Sequence, residues 1–415
     1  MRTAPMTRSS LWPGKVKRSG PWLLIWALAG TACERAPTLR FIPSPAAPGS
    51  AEPNLAAGAD GNLYLSWVET EGDSINILKF SRWEDPTWSE PRTISMGRDW
   101  FVNWADFPAF SALDDGTLAA HWLAKTGSDT YSYGVHISLS SDGGDTWSPP
   151  IVPHRDRTQT EHGFVSLLSL SGDSFGVVWL DGRETAAVEH GDGDGSMALR
   201  YTSVNREGNL DQERLLDSRV CDCCQTDARL LDDGTVLVVY RDRSDSEIRD
   251  ISLVRLEKGG ALDGPHAVHA DGWEINGCPV NGPALTTQGK DVAVAWFTAG
   301  ADDSARVLVA FSADGGRVFG DPIRVDGGRP LGRVDAEFLD DGRVHVVWLE
   351  QSGEAAEILI RTAAGDGELT PPVLLAASSP SRAGGFPRMA RWMGGFYLAW
   401  TEVGEPTRVM TAVYR

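Results

Sequence analysis

Four cysteines outside the N-terminal region could carry chemistry. Cys221, Cys223 and Cys224 form a Cys-x-Cys-Cys run, and Cys278 follows in a later segment rich in Gly and Pro. Thiols in such an arrangement form disulfides, ligate a soft metal ion or exchange disulfides with another protein. In an exported chain, a disulfide from Cys278 to Cys221 or Cys223 would join two neighbouring structural units.

A metal site is the second interpretation of these thiols. Thiolates favour Cu or Zn over Ca or Mg, so those two metals are the cofactors that the sequence indicates. His162 lies 17 residues before Trp179, and Cys278 lies 18 residues before Trp296. Because Trp179 and Trp296 hold equivalent positions in a repeat described below, we expect His162 to face the same region as the thiols.

Acidic residues recur two positions after the repeated aromatic residue. Asp181 and Asp242 hold this position in the third and fourth units, and Glu247 follows nearby. Paired carboxylates can act as acid and base on a glycosidic bond, so these three are the candidate catalytic residues. The recurrence is equally typical of structural ion pairs between neighbouring units, and both interpretations remain open at this stage.

Basic and aromatic side chains accompany these acids. Arg183, Arg241 and Arg243 could bind an anionic or sugar ligand, because guanidinium groups form bidentate hydrogen bonds with oxygen acceptors. Trp100 and Trp104 would either stack on a sugar ring or pack in the core. The remaining candidate ligand-binding residues are His162 and Asn281. The stretch 189–195, which contains His190, is similar to an acidic calcium-type loop but fits no complete motif.

A repeat indicates which elements must position these residues. An apolar stretch followed by β-branched residues ends in an aromatic residue seven times, at separations of 52 to 61 residues. The seven aromatic residues are Trp67, Trp122, Trp179, Tyr240, Trp296, Trp348 and Trp400. Four copies carry an Asp-Gly pair shortly before the aromatic residue, which predicts a tight hairpin between two strands. Each unit therefore has the size of about four strands.

Units of this size predict an all-β propeller, in which radial repetition buries faces that one unit cannot bury alone. Seven blades fit the seven aromatic residues, and six blades are the alternative. The last unit has residues for only three strands. We therefore expect the ring to close by pairing of the C-terminal strand with a strand from residues 38–44.

The N-terminal region is typical of an export signal. Residues 1–32 contain five basic residues, no acidic residue and an apolar run too short to span a bilayer comfortably. Cys33 follows small residues directly, which resembles the lipobox of bacterial lipoproteins, with Gly30 where Leu is usual. We expect a signal peptide over 1–33, a tether and closing strand over 34–52 and the propeller over 53–415. A lipid-anchored protein of the bacterial cell envelope, facing the periplasm or the cell surface, is predicted.

The charge of the chain excludes one class of partner. The net charge is −19, from 38 basic and 57 acidic residues. Non-specific binding of nucleic acid requires a basic surface, so no nucleic-acid partner is expected. Membrane association is expected only through the lipid anchor.

One motif identifies a resemblance. Residues 140–147 match the Asp-box of the sialidase superfamily, Ser-x-Asp-x-Gly-x-Thr-Trp, at every defined position. The matching residues are Ser140, Asp142, Gly144, Thr146 and Trp147. A weaker copy starts at Ser312, and residues 81–88 retain only the spacing. The resemblance implies a propeller in which the box is a structural hairpin at the blade periphery, far from the catalytic face.

The chain departs from this family where the family has its chemistry. Sialidases use three arginines, a Tyr and Glu nucleophile pair and an Asp acid, with the first arginine in an Arg-Ile-Pro motif. Here Phe41 interrupts that motif, between Arg40 and Ile42. The leading hypothesis is therefore a propeller that binds a glycan or a small anionic ligand at the mouth of blades 2–5. The alternatives are a sialidase-like glycoside hydrolase and a metal or thiol-redox accessory protein of the cell envelope.

Overall fold

A computed structural model describes residues 38–72, 74–188 and 195–415. Cys33 and the stretch around His190 lie outside these residues. The strands are β1 (Leu39–Ile42), β2 (Ser50–Ala57), β3 (Leu63–Glu71), β4 (Ile75–Glu84), β5 (Thr87–Trp88), β6 (Arg92–Gly97), β7 (Phe110–Ala112), β8 (Leu118–Lys125), β9 (Tyr133–Ser140), β10 (His162–Ser169), β11 (Ser174–Asp181), β12 (Met197–Asn205), β13 (Arg214–Val220), β14 (Asp227–Leu230), β15 (Val236–Arg241), β16 (Ile251–Leu256), β17 (Leu262–Ala267), β18 (Ala284–Gln288), β19 (Asp291–Thr298), β20 (Arg306–Ser312), β21 (Ile323–Arg324), β22 (Pro330–Phe338), β23 (Val344–Ser352), β24 (Ala355–Ala363), β25 (Val373–Ser378), β26 (Arg388–Trp392), β27 (Gly395–Glu402) and β28 (Arg408–Tyr414).

These strands form seven antiparallel sheets, which confirms the seven-bladed propeller. The innermost strands are β2, β7, β10, β14, β18, β22 and β26, and each contacts the innermost strands of both neighbouring blades. In blade 2 an isolated bridge between Ile137 and Ile151 takes the place of a fourth strand. Helix is confined, in the described residues, to one turn at Thr185–Val188 and a 3-10 turn at Arg382–Gly384. None of those helices is long or apolar enough to cross a membrane.

The two ends of the propeller close the ring, as the sequence predicts. Strand β1 pairs antiparallel with β28, with Leu39 opposite Tyr414 and Ile42 opposite Thr411. Strand β1 is therefore the outermost strand of blade 7. Arg40 lies exposed on this outer strand, at the edge of the blade furthest from the innermost strand.

The repeated aromatic residue lies on the second strand of every blade. Trp67, Trp179, Trp296 and Trp348 are completely buried, and burial of one such aromatic side chain per blade stabilises the packing of sheet on sheet. The first, third and sixth blades share a further contact, in which the indole N–H donates to a carboxylate two residues later over 2.7 Å. In these three blades the recurring acid is thus a hydrogen-bond partner of the core aromatic residue.

The Asp-box has the structural role that the resemblance implies. Asp142 accepts hydrogen bonds from Ser140 Oγ at 2.7 Å and from the backbone and side chain of Thr146 at 2.9 and 2.6 Å. Trp147 then packs edge-on against Phe80 of the preceding blade. The box therefore closes an outer hairpin of blade 2 and fastens it to blade 1.

Candidate functional site

The candidate residues cluster on one end of the propeller, here called the mouth face. It consists of the loops that precede the innermost strands and the loops between second and third strands, which antiparallel pairing brings to the same end. Backbone hydrogen bonds join the two kinds of loop, as from Cys221 N to Arg241 O and from Gly182 N to Glu161 O. The Asp-Gly hairpins and the Asp-box lie at the opposite end.

Four thiols meet on the mouth face between blades 4 and 5. The Sγ atoms of Cys221, Cys223 and Cys224 all lie within 4.8 Å of one another, and Cys221 and Cys224 approach to 2.6 Å. Cys278, from the loop that precedes blade 5, is exposed, and its thiol interacts with that of Cys223. The expected proximity of Cys278 to the Cys-x-Cys-Cys run is thus present. Among the described residues the four thiols are free of disulfides.

A buried positive charge adjoins this cluster. Arg249 is 2 % exposed, and its Nη1 donates to the Sγ of Cys221 over 3.4 Å. Its Nη2 donates to Glu247 Oε2 at 2.8 Å. Burial opposes ionisation of Cys221, but contacts with Cys223 and Cys224 and the charge of Arg241 outweigh it, so the pKa of Cys221 falls well below its usual range.

Glu247 has its oxygens occupied by arginines. Arg243 donates to both oxygens at 2.8 to 3.2 Å, and Arg249 donates to Oε2. These hydrogen bonds lower the pKa of Glu247 to about 2, so it is ionised at neutral pH and has no proton to give as a general acid. Arg243 also donates to Asp222 at 3.1 Å. In the structure Glu247 and Arg243 therefore hold a loop of blade 4 in place.

Two other predicted ligand-binding residues are used within the protein. Arg241 is 1 % exposed and donates to the carbonyl oxygens of Asn281, Arg249 and Phe297 at 2.6 to 2.9 Å. Asn281 in turn accepts from the backbone N–H of Arg333 at 2.8 Å. Through these hydrogen bonds both side chains join loops of blades 4, 5 and 6. Neither has a free donor for a ligand.

Asp181 belongs to an ionic cluster at the junction of blades 2 and 3. It is fully buried, accepts Trp179 Nε1 and receives a bidentate pair from Arg183, with both contacts at 2.7 Å. His162 Nε2 lies 3.7 Å from Asp181 Oδ1 and 3.2 Å from Asp156 Oδ2. The close partners of His162 are thus the carboxylates of Asp156 and Asp181.

His154, Asp156 and His162 of this cluster have nitrogen and oxygen atoms within 4.8 Å of one another. His154 Nε2 accepts the N–H of Val135, so the proton of the neutral ring is on Nδ1, which faces Asp156 Oδ1 at 3.4 Å. His162 Nδ1 lies 3.1 Å from the carbonyl oxygen of Thr160. Burial opposes the charge of His162, but Asp156 and Asp181 raise its pKa overall. His154 Nδ1 and His162 Nε2 face Asp156 without a well-aligned hydrogen bond.

The remaining predicted residues, Asp242, Trp100 and Trp104, contact other side chains of the protein. Asp242 accepts Ser252 Oγ at 2.9 Å, and burial raises its pKa. Trp100 stacks on Trp122 with ring centroids 5.6 Å apart. Trp104 stacks on Phe386 and lies under the guanidinium of Arg333. The core-packing interpretation of both tryptophans is therefore the one the structure displays.

A Tyr and acid constellation was missed by the sequence reasoning. Tyr133 Oη donates to Glu161 Oε1 at 2.5 Å and lies 3.3 Å from Asp106 Oδ2. Burial raises the pKa of Asp106 to about 8 and that of Glu161 to about 7. Tyr133 is completely buried and its pKa is raised well above 10, which is opposite to the activation of a nucleophile. The only signal for these three residues in the sequence is that Glu161 directly precedes the candidate residue His162.

A polar cavity lies on the propeller axis. Its volume is about 450 Å³, and the innermost strands of every blade except blade 5 contribute to its lining. Its polar lining residues include Asn54, Asp106, Ser166, Arg229, Glu337 and Arg388. Burial raises the pKa of Glu337 to about 7, so both charged and neutral carboxyl forms are available near neutral pH. Volumes of this size are usual for sites that take small ligands.

Among the arginines that line this cavity, Arg388 has the weakest contacts with other groups of the protein. Its guanidinium lies over the ring of Phe107 at 5.3 Å, and its Nε is 3.4 Å from Asp335 Oδ2. That Nε forms no well-aligned hydrogen bond. By contrast, Arg229 Nη1 donates to Asp227 Oδ1 at 2.7 Å. A ligand that enters the cavity can therefore accept hydrogen bonds from Arg388 without first displacing a strong partner.

Comparison with known proteins supports the fold. No protein-family model matches the chain, and no curated protein matches it significantly. Among solved structures, the BP39L lectin from Burkholderia pseudomallei is similar with a TM-score of 0.60 at 12% identity, over 89% of this chain and 96% of the lectin. A protein of unknown function from Dyadobacter fermentans has a TM-score of 0.50 at 15% identity, over 91% and 97% of the two chains. The NanB sialidase from Streptococcus pneumoniae has a TM-score of 0.49 at 8% identity, over 91% and 94%.

Proposed function

We propose that this propeller binds a carbohydrate, or a small anionic ligand of similar size, in its axial cavity. The observation that carries the proposal is the cavity of about 450 Å³ with amide, cationic, carboxyl and hydroxyl groups from six blades around it. Sugars require many hydrogen bonds of mixed polarity, which such a lining supplies. The sequence hypothesis placed the ligand at the mouth of blades 2–5, and the proposal moves it inward to the axis.

Arg388 and Glu337 are the proposed central contacts. A guanidinium can donate two hydrogen bonds to a carboxylate or to neighbouring hydroxyl groups. Glu337, with a pKa of about 7, can accept from a hydroxyl when ionised or donate to one when protonated. Phe107, whose ring lies beneath Arg388, adds an apolar side chain to the lining of the cavity.

The proposal is for binding without hydrolysis. Of the three acids expected to catalyse, Asp181 and Glu247 have their oxygens occupied by arginine donors and Asp242 accepts Ser252 Oγ, and none of the three borders the cavity. The Tyr and Glu pair of the mouth face is inaccessible, because Tyr133 has no exposed surface. The similarity to a lectin agrees with a binding role but, at 12% identity, supports only the shared fold.

We also propose that the protein is exported and anchored by a lipid on Cys33. The support is the sequence before the propeller, with its basic residues, apolar run and small residues preceding Cys33. An anchored propeller would present its cavity to glycans in the periplasm or at the cell surface.

A glycan array followed by isothermal titration calorimetry tests the binding proposal. The array should include neutral, uronic-acid and sialic-acid terminal sugars, and the strongest soluble sugar is then titrated into the protein. Replacement Arg388→Met should weaken binding by roughly 10- to 100-fold, the value of one lost charge-assisted hydrogen bond. Arg82→Met is the matched control, because Arg82 lies on β4, half exposed and paired with Glu84.

Each outcome of these measurements either supports or contradicts the binding proposal. Binding by the wild type that Arg388→Met weakens and Arg82→Met leaves unchanged supports the proposal. An array on which no sugar binds would contradict it, and so would binding that survives Arg388→Met unchanged.

A further inference from the structure

We propose that Cys221, Cys223, Cys224 and Cys278 together bind one thiophilic metal ion, Zn²⁺ or Cu⁺, at the junction of blades 4 and 5. The inference is independent of carbohydrate binding, because none of the four cysteines lines the axial cavity. It rests on the convergence of the sulfurs, on the turn that carries three of them and on the buried charge beside them.

Three of the four sulfurs already lie together, and Cys278 stands outside this trio, beside Cys223. Cys223 interacts with the thiols of all three other cysteines, and the sulfurs of the Cys-x-Cys-Cys run lie within 4.8 Å of one another. Zn–S bonds of about 2.3 Å in a tetrahedron place the ligand sulfurs about 3.8 Å apart. Metal binding would therefore require Cys221 and Cys224 to separate by about 1 Å from their present 2.6 Å.

The backbone presents these sulfurs in the manner of a metal-binding turn. Cys221 and Cys224 have the Cys-x-x-Cys spacing common in zinc sites, with a turn between them. The turn begins at a fixed point, because Val220 bridges Asp242 and Cys221 N donates to Arg241 O at 3.0 Å. Cys278 approaches from the next blade and completes a set of four.

The surroundings suit a negatively charged metal–thiolate centre. Four thiolates around Zn²⁺ carry a net charge of −2, and a buried charge of that size requires compensation. Arg249 and Arg241 are both buried beside the cluster, and Arg249 donates directly to Cys221 Sγ. Hydrogen bonds of this kind to ligand atoms orient metal ligands and tune metal sites.

Two disulfides, Cys221 with Cys224 and Cys223 with Cys278, are the competing arrangement. Neutral disulfides would leave Nη1 of Arg249 against uncharged sulfur, with Asp222 at 4.0 Å, while Nη2 keeps Glu247 at 2.8 Å. A thiolate at Cys221 would give Nη1 a charged partner closer than Asp222, so the position of Arg249 favours thiolates.

Metal analysis of the detergent-solubilised full chain, purified anaerobically without chelators, tests the proposal. We expect one Zn or Cu per chain by mass spectrometry, with all four cluster thiols free by alkylation and peptide mapping. Competition with a chromophoric Zn²⁺ chelator, and separately with bathocuproine disulfonate for Cu⁺, shows which ion is held more tightly. Substitution by Co²⁺ should add the absorption bands of tetrahedral thiolate coordination.

The variant of choice is Cys278→Ser, because the exposed Cys278 can be changed with little risk to folding. It should weaken binding of the preferred ion by roughly a hundredfold, as expected for loss of one of four ligands. Cys33→Ser, which changes a cysteine of the predicted export signal, should leave affinity unchanged. Less than about a tenth of an equivalent of either metal after reconstitution would overturn the proposal, as would mapped disulfides in the native protein or wild-type affinity in Cys278→Ser.

Discussion

Trp179 donates its indole N–H to the carboxylate of Asp181, two residues further along the same strand, over 2.7 Å. The same relationship joins Trp67 to Glu69 and Trp348 to Glu350. The acids also bind loops on the mouth face, since Glu69 accepts the N–H of Ala47 at 3.1 Å. A recurring Trp-x-acid pattern is thus a device that fastens the second strand of a blade to the loop leading into it.

This relationship predicts a structural effect for Asp181→Asn. The change removes a buried negative charge while Arg183 stays in place, so the free energy of unfolding should fall by about 3 kcal/mol. Chemical denaturation followed by Trp fluorescence measures the difference. Glu84→Gln on the exposed pair with Arg82 should change it by less than about 0.5 kcal/mol. Equal effects of the two variants would contradict the structural role of Asp181.

Loss of the guanidinium beside Cys221 should weaken metal binding. Arg249→Gln removes the hydrogen bond to Sγ and the compensating charge, so Zn²⁺ affinity should fall by roughly 10- to 100-fold. Chelator competition on the full chain measures the affinity, and the melting temperature reports folding. Arg82→Gln serves as the surface control. Unchanged affinity in folded Arg249→Gln would show that the charge has no part in metal binding.

Asp106 makes stability depend on pH. Burial raises the pKa of Asp106 to about 8, so in the neutral range the native state binds a proton that the unfolded state lacks. Its contribution is fully present below pH about 4 and is lost as the pH rises to about 8. Denaturation of the wild type should therefore show a steeper loss of stability between about pH 5 and 8 than Asp106→Asn. Parallel curves for the two proteins would contradict the raised pKa.

The predicted lipid anchor has a direct test. Cys33→Ser removes the only proposed acceptor of the lipid, so the protein should move from the membrane fraction to the soluble envelope fraction after cell lysis. Immunoblotting of the fractions measures the change, with the Cys278→Ser variant as control. Retention of Cys33→Ser in the membrane fraction would contradict lipidation at this residue.

The architecture could be predicted because its sequence signals are short and recur along the chain. Trp67, Trp179 and their equivalents recur at nearly constant spacing, and Asp-Gly pairs mark the hairpins between the first two strands of a blade. The closing strand followed from a count of strands in the last unit, and β1 does pair with β28. Each of these signals depends only on near neighbours in the chain.

The candidate site depended on partners that the sequence does not reveal. Arg241 looked available for a ligand, but its donors bind carbonyl oxygens of Asn281 and Phe297, which lie 40 and 56 residues away. Arg388 and Glu337 lie on regular strands without a motif, and only ring closure brings them to one cavity. The shared register of Cys278 and the Cys-x-Cys-Cys run did predict their proximity, whereas His162 lies on the same face but groups with His154 and Asp156.

Crystals of the protein can be soaked with the sugar that binds most strongly on the array. The resulting crystal structure tests ligand binding in the axial cavity most directly. We expect electron density for the sugar in the axial cavity, within hydrogen-bond distance of Arg388 and Glu337 and in contact with Phe107. Density on the outer blade surfaces, or at the mouth face with the cavity unoccupied, would contradict it.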